Sequence, residues 1–320
     1  MKVLTITNMY PIHEHKYYGI FVKEQVNSLK QYYPEITSNL IFINGFKTKL
    51  NYLKSIFSIN FHLLFNKYDI IHIHFGLSGL FTLFNPFIKA PIVTMLHSAD
   101  IDIRKSNMLI IFITKLVVKR SSFILYLNED MKRTISNYNS NILYLPCGVD
   151  SNFFIDKNFH KSVDSFTIGF PGNPKRPEKN FKLFEEIMEV LRKEKFNCKV
   201  VIFHGMTRSE VVDSLNSCDV LVMTSISEGS PQIIKEALSC NIPIVSSEVG
   251  DVEVLLNNVK NSFVISSFDP NNFVKKIKII LSEDPVRRKS TGRKKINELK
   301  LDHRDISKKI YNVYMKLLNK

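Results

Sequence analysis

The segment 219–238 reads DVLVMTSISEGSPQIIKEAL, an apolar run followed by a polar turn and then an amphipathic stretch. The run 220–223 predicts a short buried strand. Ser230 and Pro231 predict the N-cap and the first residue of a helix, because the fixed φ of proline suits that position and its missing N–H is not needed there. The segment therefore predicts a strand, a loop and a helix in immediate succession.

Two carboxylates lie eight positions apart in this segment. Glu228 falls in the predicted loop and Glu236 in the second turn of the predicted helix. The backbone N–H groups of Gln232 and Ile233 lie at the helix start, where unpaired donors and the positive end of the dipole attract phosphate or sugar oxygens. The spacing alone fits equally well with an ordinary capped helix that has a solvated acidic face.

The rest of the chain alternates short apolar strands with helical stretches in two successive halves. This alternation predicts an α/β protein with two doubly wound, Rossmann-like domains that face each other across a cleft. The domains are expected over 1–160 and 161–285, and helices over 286–320 are expected to return to the first domain. The predicted strands are 3–8, 39–43, 69–74, 92–97, 123–127 and 142–145 in the first half, and 166–170, 199–203, 220–223, 243–246 and 262–265 in the second.

The composition of the 320 residues is that of a globular protein, with 44% apolar and 23% charged residues. The N-terminus begins as a strand without a cleavage signal, and this predicts a cytoplasmic protein. The cysteines have no metal-ligand spacing and predict reduced thiols. They are Cys147, Cys198, Cys218 and Cys240.

The net charge of +14 predicts an anionic partner. The stretch 46–65 mixes Lys47, Lys49 and Lys54 with aromatic and aliphatic residues, which is typical of a helix lying on acidic headgroups, although a helix packed on a sheet fits the same pattern. The stretch 287–320 is rich in Lys and Arg, as a nucleic-acid tail would be. Its apolar residues recur at helical intervals, so an amphipathic helix is expected there and no nucleic-acid partner.

Five segments carry a family resemblance. The 228–245 region is similar to the E-x7-E motif of retaining glycosyltransferases of the GT-B fold, in family 4. The others follow the family's order along the chain: YGIFV (18–22) resembles its glycine loop, MLHSAD (95–100) its histidine segment, LPCGVD (145–150) its interdomain segment, and PGNPKRPEKN (171–180) its basic diphosphate loop. The resemblance covers almost the whole chain.

The resemblance implies cations for the donor diphosphate in the basic loop. Lys179 matches the family lysine, and it would stabilise the charge of the leaving group without a metal. Where the family often has arginine, this chain has Asn173, so Arg176 or Lys175 would take that place. We predict Arg176 and Lys179 as donor-binding residues.

The resemblance also implies roles for residues outside that loop. Glu236 would bind the ribose hydroxyls and Glu228 would lie near the transferred sugar. His97, at the end of a predicted strand, would contact the sugar or the reaction centre, and Gly19 would let the backbone approach the donor. His97, Glu228 and Lys179 are the predicted catalytic residues.

No metal site is predicted. His72 and His74 share one face of a strand but lack a third ligand, so they are expected on the sheet surface or between domains. Asp100 and Asp102 form a D-x-D pair, the metal signature of the GT-A fold, but the two predicted halves and the basic loop resemble metal-independent GT-B enzymes.

The function that the resemblance implies is transfer of a hexose from a UDP- or GDP-sugar to a lipid-linked glycan acceptor in surface polysaccharide biosynthesis. No cofactor is expected, because the nucleotide-sugar is a substrate. A nucleotide-sugar 2-epimerase of the same fold and a noncatalytic scaffold remain alternatives. Peripheral association with the inner face of the plasma membrane is expected to accompany the lipid-linked acceptor.

Overall fold

A computed structural model describes residues 1–15, 17–104, 106–157, 159 and 162–319. The chain divides into two compact units. The first unit combines 1–147 with 303–320, and the second unit comprises 148–302.

The first unit is built on a parallel sheet in the strand order β2-β1-β3-β4-β5-β6. β1 and β3 are almost entirely buried, as expected for central strands covered on both faces. The strands are β1 (Lys2–Thr7), β2 (Thr37–Phe42), β3 (Ile70–His74), β4 (Ile92–Met95), β5 (Phe123–Tyr126) and β6 (Ile142–Tyr144). Each lies within two residues of its predicted position.

The connections of the first unit are helical. They are α1 (Ile20–Tyr32), α2 (Leu50–Phe65), a 3₁₀ segment (Gly76–Phe84), α3 (Met108–Arg120) and α4 (Glu129–Ile135), and α11 (His303–Leu317) joins this unit from the chain end. From β2 to β6 the strands advance in one direction across the sheet. Because parallel crossovers are right-handed, α2, the 3₁₀ segment and α3 cover the same face.

The second unit contains a parallel sheet in the order β11-β10-β9-β7-β8. Its strands are β7 (Phe166–Pro171), β8 (Cys198–Phe203), β9 (Val220–Met223), β10 (Ile244–Ser247) and β11 (Ser262–Ile265). Its helices are α5 (Phe181–Lys193), α6 (Arg208–Ser217), α7 (Gln232–Ser239), α8 (Val252–Leu256), α9 (Pro270–Leu281) and α10 (Gly292–Leu299). One core cluster packs α5 and α9 against β7, β9 and β10.

The units divide at 147/148 and 302/303, whereas the sequence predicted boundaries at 160/161 and 285/286. The polar stretch after β6 belongs to the second unit because its backbone is bonded there: Ser151 N–H donates to Asp302 and Lys157 N–H donates to Asn216. Helix α10 also stays in the second unit, where Gly292 packs against the backbone of Leu238 in α7. Within 286–320, therefore, only the part from residue 303 onward belongs to the first unit.

None of the four cysteines, all of which the structure describes, forms a disulfide bond. Within the described residues, no helix is both long and apolar enough to cross a bilayer.

Candidate active site

The loop between β9 and α7 holds the two glutamates as the sequence predicted. Glu228 lies in the loop and Glu236 in the second turn of α7. The cap prediction was wrong, because the helix begins at Gln232 and Ser230 does not cap it. Ser230 Oγ instead donates a hydrogen bond of 2.7 Å to Asp251 and accepts one of 3.0 Å from the buried Lys235.

Lys179 and Glu228 form an ion pair. Lys179 Nζ lies 2.7 Å from Glu228 Oε1, and the hydroxyl of Ser225 donates to the same oxygen at 2.9 Å. The side chains of Lys179 and Glu228 are only 14% and 16% exposed, respectively. Two predicted catalytic residues, 49 positions apart, are thus brought together at the carboxyl edge of the second sheet.

The backbone around Lys179 is held by the end of β9. Thr224 Oγ1 donates to the carbonyl groups of Lys179 and Asn180, both at 3.0 Å, and Ile226 N–H donates to Glu178 O at 2.9 Å. These bonds fix the loop that carries the cation to the strand that carries the carboxylate.

The side chain of Lys179 lies against Gly172. The glycine has φ +111°, and a Cβ there would lie 2.8 Å from Lys179 Cε. The positive φ therefore favours glycine, and a side chain at this position would displace the side chain of Lys179. Gly172 lies in the segment 171–180 that resembles the family's diphosphate loop, but this role was not predicted.

Glu236 is paired with a cation that was not predicted from the sequence. Arg208 Nη1 donates to Glu236 Oε1 at 2.8 Å, and the carboxylate side chain is only 3% exposed. The guanidinium also lies 4.6 Å from the ring centre of Phe154. Arg208 opens α6, where a cation opposes the helix dipole, and this unfavourable placement was the available signal.

The other predicted donor residues lie near this centre without joining the ion pair. Arg176 is exposed and pairs with Glu178, two positions away. Gln232 and Ile233 form the first residues of α7, and the side chain of Gln232 donates to Gly148 O at 2.6 Å. Lys175 is exposed.

In the first unit, His97 follows β4 at the carboxyl edge of the sheet, as predicted. Its backbone N–H donates to both oxygens of Asp100, at 3.1 and 3.2 Å. Its ring lies 5.1 Å from the ring centre of Phe21 and its Nε2 lies 3.1 Å from Nδ1 of His74.

His72 and His74 do not lie on the sheet surface, and that prediction was wrong. Each is only 1% exposed, because α11 covers β3 and the Tyr314 hydroxyl bonds to His72 Nδ1. Desolvation lowers the pKa of His72 to about 3 and that of His74 well below its usual value. Both rings are therefore neutral at physiological pH.

The D-x-D carboxylates are bound to protein donors. Asp100 is fully buried and also accepts the N–H of Gly76 at 3.0 Å, and its burial raises the pKa of the carboxyl to about 6. Asp102 accepts a bidentate pair of hydrogen bonds from the guanidinium of Arg104. Within the part of the chain that the structure describes, no group of three or more His, Cys, Asp or Glu side chains could hold a metal ion.

Gly19 precedes α1 with φ +67°. A Cβ at this position would lie 2.3 Å from the carbonyl carbon of Met9. The close approach of the protein's own backbone therefore suffices to require glycine here.

Comparison with solved structures establishes the fold. The chain superposes on sucrose-phosphate synthase from Thermosynechococcus elongatus with a TM-score of 0.80 and 12% identity over 99% of both chains. Anabaena HepE, solved in complex with UDP, gives a TM-score of 0.73 and 13% identity over 99% of this chain and 100% of that one.

Two family models match the sequence. The model described as Glycosyltransferase Family 4 matches residues 23–153, and the model described as Glycosyl transferases group 1 matches residues 182–296. The chain belongs to these GT-B glycosyltransferases. Lys179 lies just outside the second match, whereas Glu228 and Glu236 lie inside it.

Curated relatives of this glycosyltransferase are distant. A putative teichuronic acid biosynthesis glycosyltransferase, TuaC of Bacillus subtilis, is 24% identical over 218 residues, which is 58% of this chain and 55% of TuaC. The N,N'-diacetylbacillosaminyl-diphospho-undecaprenol α-1,3-N-acetylgalactosaminyltransferase of Campylobacter jejuni is 23% identical over 111 residues, or 35% of this chain and 30% of the relative. The match thus spans about half of the one relative and less than a third of the other.

Proposed function

We propose that this protein is a retaining glycosyltransferase that transfers a hexose from a nucleotide-sugar to a glycan acceptor. The observation that carries the proposal is the arrangement around the start of α7, where Glu228 pairs with Lys179 and Glu236 pairs with Arg208. These two ion pairs, both largely buried, provide the two kinds of group that bind a nucleotide-sugar. The cations can bind the diphosphate, and the carboxylates can accept hydrogen bonds from hydroxyls.

We propose that both ion pairs exchange partners when the donor binds. When a diphosphate binds, Lys179 would transfer its contact from Glu228 to a phosphate oxygen, and Glu228 would then be available to a sugar hydroxyl. Arg208 and Glu236 could separate in the same way around the ribose. A fixed cation acts most strongly where charge develops as the glycosidic bond breaks.

The proposed chemistry uses no protein nucleophile. The family resemblance implies that the acceptor attacks on the side from which the leaving group departs and that the donor phosphate takes the acceptor proton. We assign to His97 a contact with the transferred sugar, and we propose a reaction that needs no metal ion.

The names of similar proteins support the choice of substrates. HepE was solved with UDP and with UDP-glucose, and this favours a UDP-sugar donor over GDP-sugar. The names of the two curated relatives refer to teichuronic acid and to a diphospho-undecaprenol acceptor, and these favour a lipid-linked precursor of a surface polysaccharide.

A donor screen tests the function. Thermal shifts would be measured with a panel of UDP- and GDP-sugars, because a ligand present at 100 times its Kd stabilises the native state by about 2.7 kcal/mol. The best donor would then be incubated with a lipid-linked glycan. Formation of an epimerised sugar without acceptor would show that the protein is a nucleotide-sugar 2-epimerase. If no donor in the panel binds, the noncatalytic scaffold is the alternative that is supported.

Helix α2 supports the expected membrane association. Its inner face packs on the sheet through Ile56 and Ile59, yet the opposite face is also apolar, and Phe57, Phe61 and Phe65 are 78%, 64% and 73% exposed. A helix that is apolar on both faces requires a second apolar environment.

The exposed apolar surface continues onto the neighbouring elements of the same face. Asn60 of α2 donates to Phe81 O in the 3₁₀ segment, and Gly79 of that segment packs against Val117 of α3. Phe84, Phe87, Met108, Leu109 and Phe112 are also exposed there. These elements therefore form one apolar surface, which we call the α2–α3 surface.

The charge around the α2–α3 surface matches an acidic bilayer. Between Glu35 and Glu129 the sequence has ten Lys or Arg but only three acidic residues, of which Asp100 is buried and Asp102 is paired. We propose that this surface binds acidic lipid headgroups and inserts its aromatic residues at the acyl boundary.

Vesicle sedimentation separates the charged from the apolar contribution. Replacement of Lys47, Lys49 and Lys54, all exposed, by Gln should weaken binding to anionic vesicles by about 1 kcal/mol per lysine at low salt, with donor binding unchanged. Equal partitioning of wild type and triple variant would contradict the membrane proposal. A Phe57→Ser, Phe61→Ser variant that is monomeric where the wild type self-associates would assign the surface to a second copy instead.

A further inference from the structure

A buried row of histidines lies beneath the proposed site of the first unit. The rings of His72 and His74 stack with centres 4.5 Å apart, and His74 also stacks on His97 with centres 5.4 Å apart. At the far end of the row, His72 is bonded to the hydroxyl of Tyr314. His74 is thus held on both sides, between an anchored ring and the ring that we place against the sugar.

The position of the His74 proton follows from its surroundings. Nδ1 of His74 lies 3.1 Å from Nε2 of His97, whereas Nε2 of His74 is buried without a hydrogen-bond partner. The buried ring is neutral and carries one proton. On Nε2 that proton would be a buried donor without an acceptor, which costs more than an unfilled lone pair. The proton therefore lies on Nδ1 and is donated to His97.

We propose that His74 is a positioning residue for the transferase reaction, one that holds neutral His97 in the tautomer with its proton on Nδ1. With Nε2 of His97 accepting from His74, the other ring nitrogen is an N–H donor. The Asp100 carboxylate fixes the His97 backbone at the same time, so that both ends of the residue are oriented.

The inference rests on the proposed function and gives His97 a definite role within it. A neutral histidine with its proton on Nδ1 can donate a hydrogen bond to a sugar oxygen from that nitrogen, and it cannot remove a proton there. His97 would thus bind the transferred sugar as a donor and would not act as a general base.

The tautomer can be measured without any substrate. In ¹⁵N–¹H spectra of histidine-labelled protein, we expect Nδ1 of His97 to be protonated and Nε2 to be a hydrogen-bonded acceptor. His74→Phe removes the N–H donor to His97, so His97 should no longer be held with its proton on Nδ1. His74→Asn retains an amide N–H near the position of the former Nδ1 and should restore that tautomer of His97. His72→Phe is the matched control, because it makes the same change on the same face and leaves the His74–His97 bond in place.

The kinetic expectation follows the spectra. His74→Phe should lower kcat by about 10- to 100-fold, the loss that is typical when a group that orients a metal-binding histidine is removed, and His74→Asn should recover most of that loss. A protonated Nδ1 on His97 in folded His74→Phe would overturn the inference. Loss of activity in His97→Ala with full activity in His74→Phe would overturn it while the proposed function stands. Full activity in His97→Ala would remove His97 from the proposed function, and the positioning role with it.

Discussion

Replacement of Lys179 by methionine tests the proposed site most directly. Methionine retains most of the apolar stem that lies over Gly172 and removes the charge that pairs with Glu228. Glu228 keeps its bond from Ser225 and remains partly exposed, so the folding cost should be about 1.5–3 kcal/mol, the value of one hydrogen bond to a charged group. The variant should therefore remain folded.

The catalytic cost should exceed the folding cost. Removal of one fixed group that stabilises developing negative charge lowers turnover by about 100- to 1,000-fold, or about 2.7–4 kcal/mol of transition-state stabilisation. The assay is initial-rate transfer from saturating donor, once the donor panel has identified one. At saturation a change in kcat reports on the bond-breaking step and not on donor affinity, provided that chemistry limits turnover.

Lys182→Met is the matched control, since Lys182 is an exposed lysine in α5 three positions further along the chain. The Glu228→Gln single variant and the double variant complete a thermodynamic cycle for the ion pair. Unfolding free energies that simply add would show that the pair contributes no coupling. A folded Lys179→Met protein whose kcat lies within about threefold of that of the wild type and of Lys182→Met would refute the assignment of Lys179 to the leaving diphosphate.

Three further outcomes are expected. Glu236→Ala should weaken donor binding in titration calorimetry far more than it lowers stability, and unchanged affinity in the folded variant would remove Glu236 from the ribose site. Turnover should persist in EDTA; loss of activity that manganese or magnesium restores would contradict metal independence. The lowered pKa of His72 means that the unfolded state binds more protons between about pH 3 and 6.5, so the contribution of His72 to the free energy of unfolding should fall on acidification by about 1.4 kcal/mol per pH unit within that range. His74, whose pKa is also lowered by burial, acts in the same direction. The raised pKa of Asp100 acts in the opposite direction between about pH 4 and 6. Because His72→Phe removes one of the histidines that oppose acidification, its free energy of unfolding, measured by chemical denaturation, should fall less steeply with decreasing pH than that of the wild type. An unchanged dependence on pH would mean that His72 is not buried as a neutral ring.

Local pattern was sufficient for the elements of the fold. Strands such as β9 are short apolar runs bounded by polar residues. Because the strands of a parallel sheet are covered on both faces, they appear in the sequence as such continuous runs and can be located from it. The placement of Glu228 and Glu236 followed for the same reason, because one strand end and one helix start determine both positions. The Ser230 cap was wrong because a buried acceptor, Asp251, competes for the hydroxyl from 21 positions away.

The sequence by itself determined the two parallel sheets and the loop and helix that carry the glutamates, because each depends on residues close together in the chain. Only the tertiary structure decided the partners of these groups. The contacts of Lys179 with Glu228 and of Arg208 with Glu236 join residues that are 49 and 28 positions apart in the chain. The burial of His72 depends on a tyrosine 242 positions away, since strand periodicity shows which residues share a face and not what covers that face.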